Sequence, residues 1–188
     1  MGWHGTASAG ESVEITMDIF RGAERLMAMD EAAWARHANP WSVYSRFTCL
    51  PLIVVAIWSR VWIGGWAVVP LIGALGWTFL NPRLFSAPLD KTTWAAKAVM
   101  GERLFLARKA RPVPSRHVTM ALWLTGVSGA GAIVLIYGLV VLNVWATVTA
   151  LAVTMCGKLW FCDRMVWLFE DMERAVLDEA AACAVAPD

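Results

Sequence analysis

Charged residues are scarce in this chain of 188 residues. Asp, Glu, Lys and Arg make up 16% of it and apolar residues 59%, whereas a typical soluble domain has about 25% charged residues. The mean hydropathy is +0.55. This composition excludes a disordered chain, a collagen-like fibre, a coiled coil and a nucleic-acid module. It also disfavours a water-soluble enzyme.

Sequence motifs of catalysis are also lacking. Gly-x-Ser-x-Gly is absent, and no glycine-rich loop is placed to cradle a phosphate. No His-x-x-x-His or Glu-x-x-His pair offers metal ligands on one helix face. The four cysteines have no metal-type spacing, so we expect reduced structural thiols. The sequence therefore assigns no metal site and requires no cofactor.

Two long stretches contain no Asp, Glu, Lys or Arg. One of 22 residues separates Arg60 from Arg83, and one of 41 residues separates Arg116 from Lys158. A transmembrane helix needs about 20 apolar residues, so these stretches predict one span and two spans. The apolar residues 47–59 add a short span if Arg60 extends its guanidinium to the membrane interface. We predict an all-α integral membrane protein with four transmembrane helices, over residues 47–62, 66–81, 118–139 and 144–161.

Tight turns at residues 63–65 and 142–143 pair these helices as two hairpins. The predicted organisation is a cytoplasmic N-terminal segment (1–46), a first hairpin (47–81), a basic cytoplasmic segment (82–117), a second hairpin (118–161) and a cytoplasmic helix with a tail (162–188). A kink is predicted at Pro70. Residues 1–40 have no apolar run typical of a signal peptide, so we expect no leader.

The basic residues predict the orientation. Of the 16 Lys and Arg residues, 15 flank the spans on one side, and only Arg60 lies near the other. The positive-inside rule places that side, with both termini, in the cytoplasm, and the protein in the inner membrane. The tryptophans fit belts at the two interfaces, with Trp62 and Trp145 near the outer one and Trp123 and Trp160 near the inner one.

Three amphipathic helices are expected on the cytoplasmic side. They cover residues 13–36, residues 91–110 with Asp90 as N-cap, and a continuation of the fourth span with an apolar stripe from Met165 to Val176. In the third span, small residues recur four apart and favour close helix packing, within the chain or between chains. These packing residues are Gly126, Ser128, Ala130 and Ala132.

A polar cluster is predicted at the cytoplasmic membrane boundary. Its members are His37, Asn39, Arg46, Asn81, Arg83, Glu102, Arg103, His117, Asp163, Arg164 and Glu170. A layer of ion pairs and helix caps is the first interpretation, since unpaired charges are costly near lipid. Binding of anionic lipid headgroups, a metal site, and axial binding of haem or a chlorophyll-type pigment remain alternatives.

Several polar blocks together resemble a known family. They are His37-Ala38-Asn39-Pro40-Trp41-Ser42, Trp58-Ser59-Arg60, Asn81-Pro82-Arg83-Leu84-Phe85, Trp94-Ala95-Ala96-Lys97 with Gly101-Glu102-Arg103, and Lys158-Leu159-Trp160-Phe161 before Asp163-Arg164-Met165. In this order the chain resembles, over residues 34–172, an uncharacterised family of short bacterial and archaeal membrane proteins that is filed as a domain of unknown function. The resemblance implies a small helical membrane protein and supplies no catalytic residue.

The expected function is that of a non-catalytic accessory, scaffold or assembly subunit of a membrane complex. Expected partners are anionic inner-leaflet lipids and other membrane proteins or a second copy, but no nucleic acid. The alternative is a membrane-embedded enzyme or a metal- or cofactor-binding protein that acts on a lipid or quinone-like substrate. Convergence of His37 and His117 on Glu102 or Asp163 would favour that alternative. A small transporter is the third hypothesis.

Overall fold

The computed structural model describes residues 31–185, and side chains over 34–183. No strand occurs in this part of the chain, and helices dominate it. The helices are α1 (Glu31–His37), α2 (Pro40–Arg46), α3 (Cys49–Trp58), α4 (Arg60–Ile63), α5 (Val68–Leu84), α6 (Trp94–Leu106), α7 (Ser115–Val140) and α8 (Val144–Val185), with a 3-10 turn at Gly64–Ala67. Most of the amphipathic helix predicted over 13–36 lies outside the described residues.

Three helical segments are long and apolar enough to cross a membrane. They are Pro40–Leu84, Ser115–Val140 and Val144–Cys183. Only 17 to 28% of the residues in their most apolar windows are buried inside the protein. The apolar side chains therefore face outward in large number, as lipid contact requires, and they indicate a membrane protein.

The first of these segments changes direction between α3 and α5. Gly64 has a φ of 55°, a left-handed conformation that glycine adopts without steric cost. Helices α3 and α5 pack against each other. The hydroxyl of Ser42 in α2 donates a hydrogen bond to Asn81 near the end of α5.

Helices α7 and α8 form the largest contact between elements. They are joined by a turn at residues 141–143, where the Asn143 side chain accepts a hydrogen bond from the Ala146 N–H at 2.9 Å. Gly131 and Gly138 of α7 lie against Thr154 and Thr147 of α8. Small residues here bring the two backbones close together.

The predicted packing residues of α7 divide between two sides of the helix. Ser128 faces α8, where its hydroxyl donates to the carbonyl of Thr154 at 3.0 Å. Ala132 is partly buried near the same contact, whereas Gly126 and Ala130 are exposed. Gly126 and Ala130 therefore do not pack against another helix of this chain.

Helix α6 crosses α8. A core cluster forms at this crossing from Phe105, Ala121, Phe161, Met165 and Leu168. Gly101 lies directly on the backbone of Met165. A second cluster joins α1 and α2 to α6 through residues such as Trp34, Val43 and Val99.

One local expectation was wrong, and there is a physical argument against a second. Thr93, not Asp90, is the N-cap of α6, and its hydroxyl accepts from the Ala96 N–H. Asp90 instead accepts hydrogen bonds from Thr92 in the preceding loop. Pro70 lies in the first turn of α5, where a missing N–H breaks no helical hydrogen bond, so it has no reason to kink the helix.

Candidate functional site

A cavity of about 360 Å³ opens where the short helices α1 and α2 meet α3, α6, α7 and α8. Apolar side chains form most of its wall, and polar groups are gathered on part of it. The lining residues are His37, Val43, Arg46, Phe47, Cys49, Leu50, Ala98, Val99, Glu102, Ser128, Thr154, Met155, Lys158 and Cys162. We call this space the junction cavity.

His37 and Arg46 form one polar pair in its wall. Arg46 Nη1 lies 3.1 Å from His37 Nε2. A guanidinium only donates, so His37 Nε2 is the acceptor and the ring proton is assigned to Nδ1. Burial lowers the pKa of His37 to about 3, helped by the positive charges of Arg46 and Lys158. The imidazole is therefore neutral near pH 7.

Three nitrogen atoms of this pair are buried without a hydrogen-bond partner. They are His37 Nδ1 and the Nε and Nη2 atoms of Arg46. A buried donor without a partner costs about 1–3 kcal/mol. The pair thus has unused hydrogen-bonding capacity in the wall of the junction cavity.

Glu102 and Lys158 form the second polar pair of the cavity, with 3.5 Å between Glu102 Oε1 and Lys158 Nζ. The ammonium of Lys158 also lies 4.8 Å from the ring centroid of Phe161. The charged groups that line the cavity are therefore one carboxylate, Glu102, and two cations, Arg46 and Lys158. The ionised cavity has an excess of one positive charge.

Further polar residues meet at a separate place, between α7 and the C-terminal half of α8. Asp171 Oδ2 lies 2.9 Å from His117 Nε2 and 2.6 Å from Arg116 Nη2. Beside it, Glu170 pairs with Lys97 of α6 at 2.7 Å. These pairs link α6, α7 and α8 around a second cavity of about 560 Å³.

The two asparagines of the predicted polar cluster make hydrogen bonds within the fold. Asn39 caps α2 by accepting from the Trp41 N–H, and its amide donates to the Ser86 carbonyl. Asn81 is fully buried, and its amide donates to the Ser45 hydroxyl at 2.7 Å.

The remaining members of the predicted cluster have local partners. Asp163 accepts from the indole N–H of Trp94 at 3.3 Å. Three arginines lie over aromatic rings: Arg83 over Phe79, Arg103 over Trp34 and Arg164 over Trp167.

The predicted polar cluster is therefore divided. His37, Arg46 and Glu102 meet at the junction cavity, whereas His117, Arg164 and Glu170 line the second one. Each histidine thus has its own partners. Within residues 34–183, no three His, Cys, Asp or Glu side chains converge as a metal ion would require.

Sequence reasoning left Lys158 and Cys162 out of the site. Lys158 follows the 41-residue stretch without charge, and Cys162 lies four positions further along the chain. This spacing puts both on one face of a helix. One feature of the sequence could have identified Lys158: it is a single lysine among apolar residues inside a predicted span.

Comparison with protein-family models gives one match, to a family of unknown function, DUF6653, over residues 21–187. It extends beyond the range 34–172 expected from the polar blocks. Comparisons with curated proteins and with solved structures give no match. Because the match covers most of the chain, this protein belongs to the family of unknown function DUF6653.

Proposed function

We propose that this protein is a non-catalytic accessory or assembly subunit of a membrane complex and binds its partner through the cytoplasmic helices. The observation that carries this proposal is the end of α8. From Glu173 to Cys183 every residue of this helix is exposed. The segment includes the apolar residues Val176 and Leu177, which are 47% and 63% exposed.

The length of α8 puts this segment outside the membrane. Its 42 residues span about 63 Å at 1.5 Å per residue, about twice the 30 Å hydrocarbon core of a bilayer. A helical segment whose side chains are all exposed is only marginally stable in water. Packing of its apolar side against another protein would stabilise it.

The proposed arrangement in the membrane has four spans, with α3–α4, α5, α7 and α8 crossing and both termini in the cytoplasm of an inner membrane. The packing of α3 on α5 supports it, as does the distribution of Lys and Arg. In this orientation the exposed basic residues Lys91, Lys109 and Arg111 face the anionic inner leaflet.

The ion pairs support a structural role for the polar residues of α6, α7 and α8. Lys97 with Glu170, and Arg116 and His117 with Asp171, join helices distant in sequence. Such pairs fix the angle at which α8 leaves the bundle. They would present its exposed end to a partner in a defined position.

The test is a double substitution on the apolar side of this end, Val176→Glu with Leu177→Glu. The matched control is Ala175→Glu with Ala182→Glu, which adds the same charge at exposed positions on another side of α8. Membranes of the native host are solubilised in mild detergent, and the particle mass is measured by native electrophoresis and mass spectrometry.

We expect the unmodified chain and the control variant to migrate in a particle much heavier than 20.7 kDa plus detergent. The test variant should no longer be part of that particle. The particle's composition distinguishes a second copy from another membrane protein. A monodisperse single chain from native membranes would overturn the proposal. So would a test variant that stays in the particle.

The second candidate function, binding or conversion of a lipid or quinone-like molecule, is favoured by the junction cavity. Pockets that hold small molecules are mostly apolar with a few placed polar groups. The polar pairs His37–Arg46 and Glu102–Lys158 give the junction cavity this character.

A further inference from the structure

We propose that the junction cavity binds an amphiphile with an oxyanion head, a carboxylate or phosphate, whose apolar tail comes from the surrounding bilayer. This ligand site lies apart from the partner-binding end of α8 and does not depend on it. The argument rests on the free guanidinium atoms of Arg46, the charge of the cavity and the shape of its apolar wall.

The free atoms of Arg46 are the pair that recognises an oxyanion. The N–H bonds of Nε and Nη2 point in the same direction along one edge of the guanidinium. That edge binds carboxylate and phosphate through two parallel hydrogen bonds. In this protein Nη1 is occupied by His37, whereas Nε and Nη2 are buried and unpartnered.

His37 adds a third donor. Its side chain is 6% exposed, and its Nδ1 is buried without a partner. Because Nε2 accepts from Arg46, the donor face of the imidazole is Nδ1–H. Because Nδ1 lies across the ring from Nε2, a different oxygen of the head group from those bound by Arg46 would satisfy this atom.

Charge selects an anion over a neutral head. Glu102, the carboxylate of the cavity wall, already has Lys158 as a partner, so the charge of Arg46 is not cancelled within hydrogen-bonding distance. A buried cation near lipid is costly unless a counter-charge accompanies it. An oxyanion head supplies that counter-charge, and a neutral quinone does not.

The rest of the cavity suits an apolar tail. Phe47, Leu50 and Met155 give part of its wall an apolar surface. A shallow groove of about 260 Å³ on α7 and α8 shares Ser128, Thr154 and Lys158 with its wall. Shared lining residues on helices that face lipid place the cavity beside a lateral route from the bilayer.

The test measures binding to the full-length protein in dodecyl maltoside micelles by microscale thermophoresis. The probe is oleoyl lysophosphatidate. Oleoyl lysophosphatidylcholine, decylubiquinone and inorganic phosphate are comparators that separate the anionic amphiphile from a zwitterionic lipid, a quinone and a free anion. The variants are Arg46→Gln and Arg46→Lys, with Arg174→Gln as a control that removes the same charge from an exposed position of α8 outside the junction cavity.

We expect lysophosphatidate to bind most tightly and Arg46→Gln to weaken it about tenfold or more, the effect of losing a charge-assisted hydrogen bond. Arg46→Lys keeps the charge but lacks the two adjacent N–H donors of the guanidinium edge, so it should also weaken binding, whereas Arg174→Gln should not. Equal binding of the comparators, or Arg46→Lys binding like the unmodified chain, would overturn the proposal.

A labelling experiment on the unmodified protein covers the case in which Arg46 variants do not fold. A fatty acid with a photoreactive diazirine in its tail is activated in reconstituted vesicles, and adducts are mapped by mass spectrometry. Competition by unlabelled oleate should remove adducts at Phe47, Leu50 or Met155 and spare those at lipid-facing Trp145. Absence of competed adducts in the cavity would refute the site.

Discussion

Gly101 has the closest backbone contact of the α6–α8 crossing. A Cβ atom built on it would overlap the carbonyl oxygen of Met165 and lie 2.6 Å from its carbonyl carbon. The neighbouring atom is backbone, so it cannot rotate away. Any side chain at this position must therefore push α6 off α8.

Gly101→Ala is expected to destabilise the protein by about 1–3 kcal/mol, the usual cost of overpacking. Gly126→Ala is the matched control, because a Cβ there meets nothing within 4 Å and alanine favours helix. The measurement is unfolding in mixed micelles followed by circular dichroism. Equal stabilities for both variants would show that α6 and α8 do not approach this closely.

His37 gives a pH dependence with a definite sign. Its pKa falls from 6.5 to about 3 on folding, so below pH 6.5 the unfolded chain binds a proton that the folded protein refuses. Stability is therefore lost as pH falls from 6.5 towards 3, by up to about 1.4 kcal/mol per pH unit. The charged and titratable groups lining the cavity with His37 are Arg46, Glu102, Lys158, Cys49 and Cys162.

His37→Gln should flatten this part of the pH profile. All the other groups are common to the variant and the unmodified chain, so the difference between their unfolding free energies at pH 6.5 and 4.5 isolates His37. If the free energy of unfolding fell equally in both proteins between pH 6.5 and 4.5, the imidazole would be protonated in the folded state.

Sequence reasoning at this scale grouped the polar residues but did not give their partners. The spacing of polar residues along the chain placed His37, Arg46 and Glu102 at a common level, and the structure puts all three in one cavity. The sequence did not show that His117 lies elsewhere. The crossing of two helices depends on contacts such as that of Gly101 with Met165. Such contacts leave no periodic trace in a sequence.

Among the elements, the turn between α7 and α8 combines a good cap with a strained residue. Asn143 caps α8 through the Ala146 N–H. Leu142, however, has a φ of 56°, in the left-handed region that a residue with a Cβ adopts at a cost of about 1–2 kcal/mol. The turn is held in this form by the contact of the two helices.

Leu142→Gly is expected to stabilise the hairpin by roughly 0.5–1 kcal/mol, since glycine removes this strain and its extra entropy offsets only part of the gain. The neighbour Val141, which has a φ of −85°, provides the control. Val141→Gly relieves no strain and should lower the melting temperature. Destabilisation of the same size in both variants would contradict the left-handed conformation.

The helices themselves were largely predictable, and their ends were not. The stretch between Arg116 and Lys158 gave α7, the turn and the start of α8, because lack of charge and a short polar break are local signals. The N-cap of α6 was misplaced at Asp90 because Asp and Thr are both good caps. The choice of Thr93 depends on how Trp94 and Ala95 pack.

At the scale of the whole molecule, the main prediction concerns how many times the chain crosses the membrane. Three segments are apolar and long enough, and the proposal of four spans requires Pro40–Leu84 to cross twice. Single cysteines at Gly65 and Val144, in a background without the native cysteines, should react with an impermeant maleimide from outside intact cells. A cysteine at Ala87 should react only after permeabilisation.

Labelling of Gly65→Cys only after permeabilisation would contradict the first hairpin and leave the second untouched. Labelling of Ala87→Cys from outside would reverse the orientation. Hydropathy predicts a membrane protein securely, since it sums over many residues. The first crossing is harder to predict, because Arg60 interrupts the apolar run and donates to the carbonyls of Leu139 and Val140 at the end of α7.

The unbroken course of α8 has a mechanical consequence. One continuous helix starts after the turn at residues 141–143, borders the junction cavity at Lys158 and carries the exposed residues 173–183. Gly131 and Gly138 of α7 lie close to this helix at Thr154 and Thr147. A change in its tilt against α7 would therefore shift both the cavity wall and the exposed segment, even though the two lie far apart along the helix.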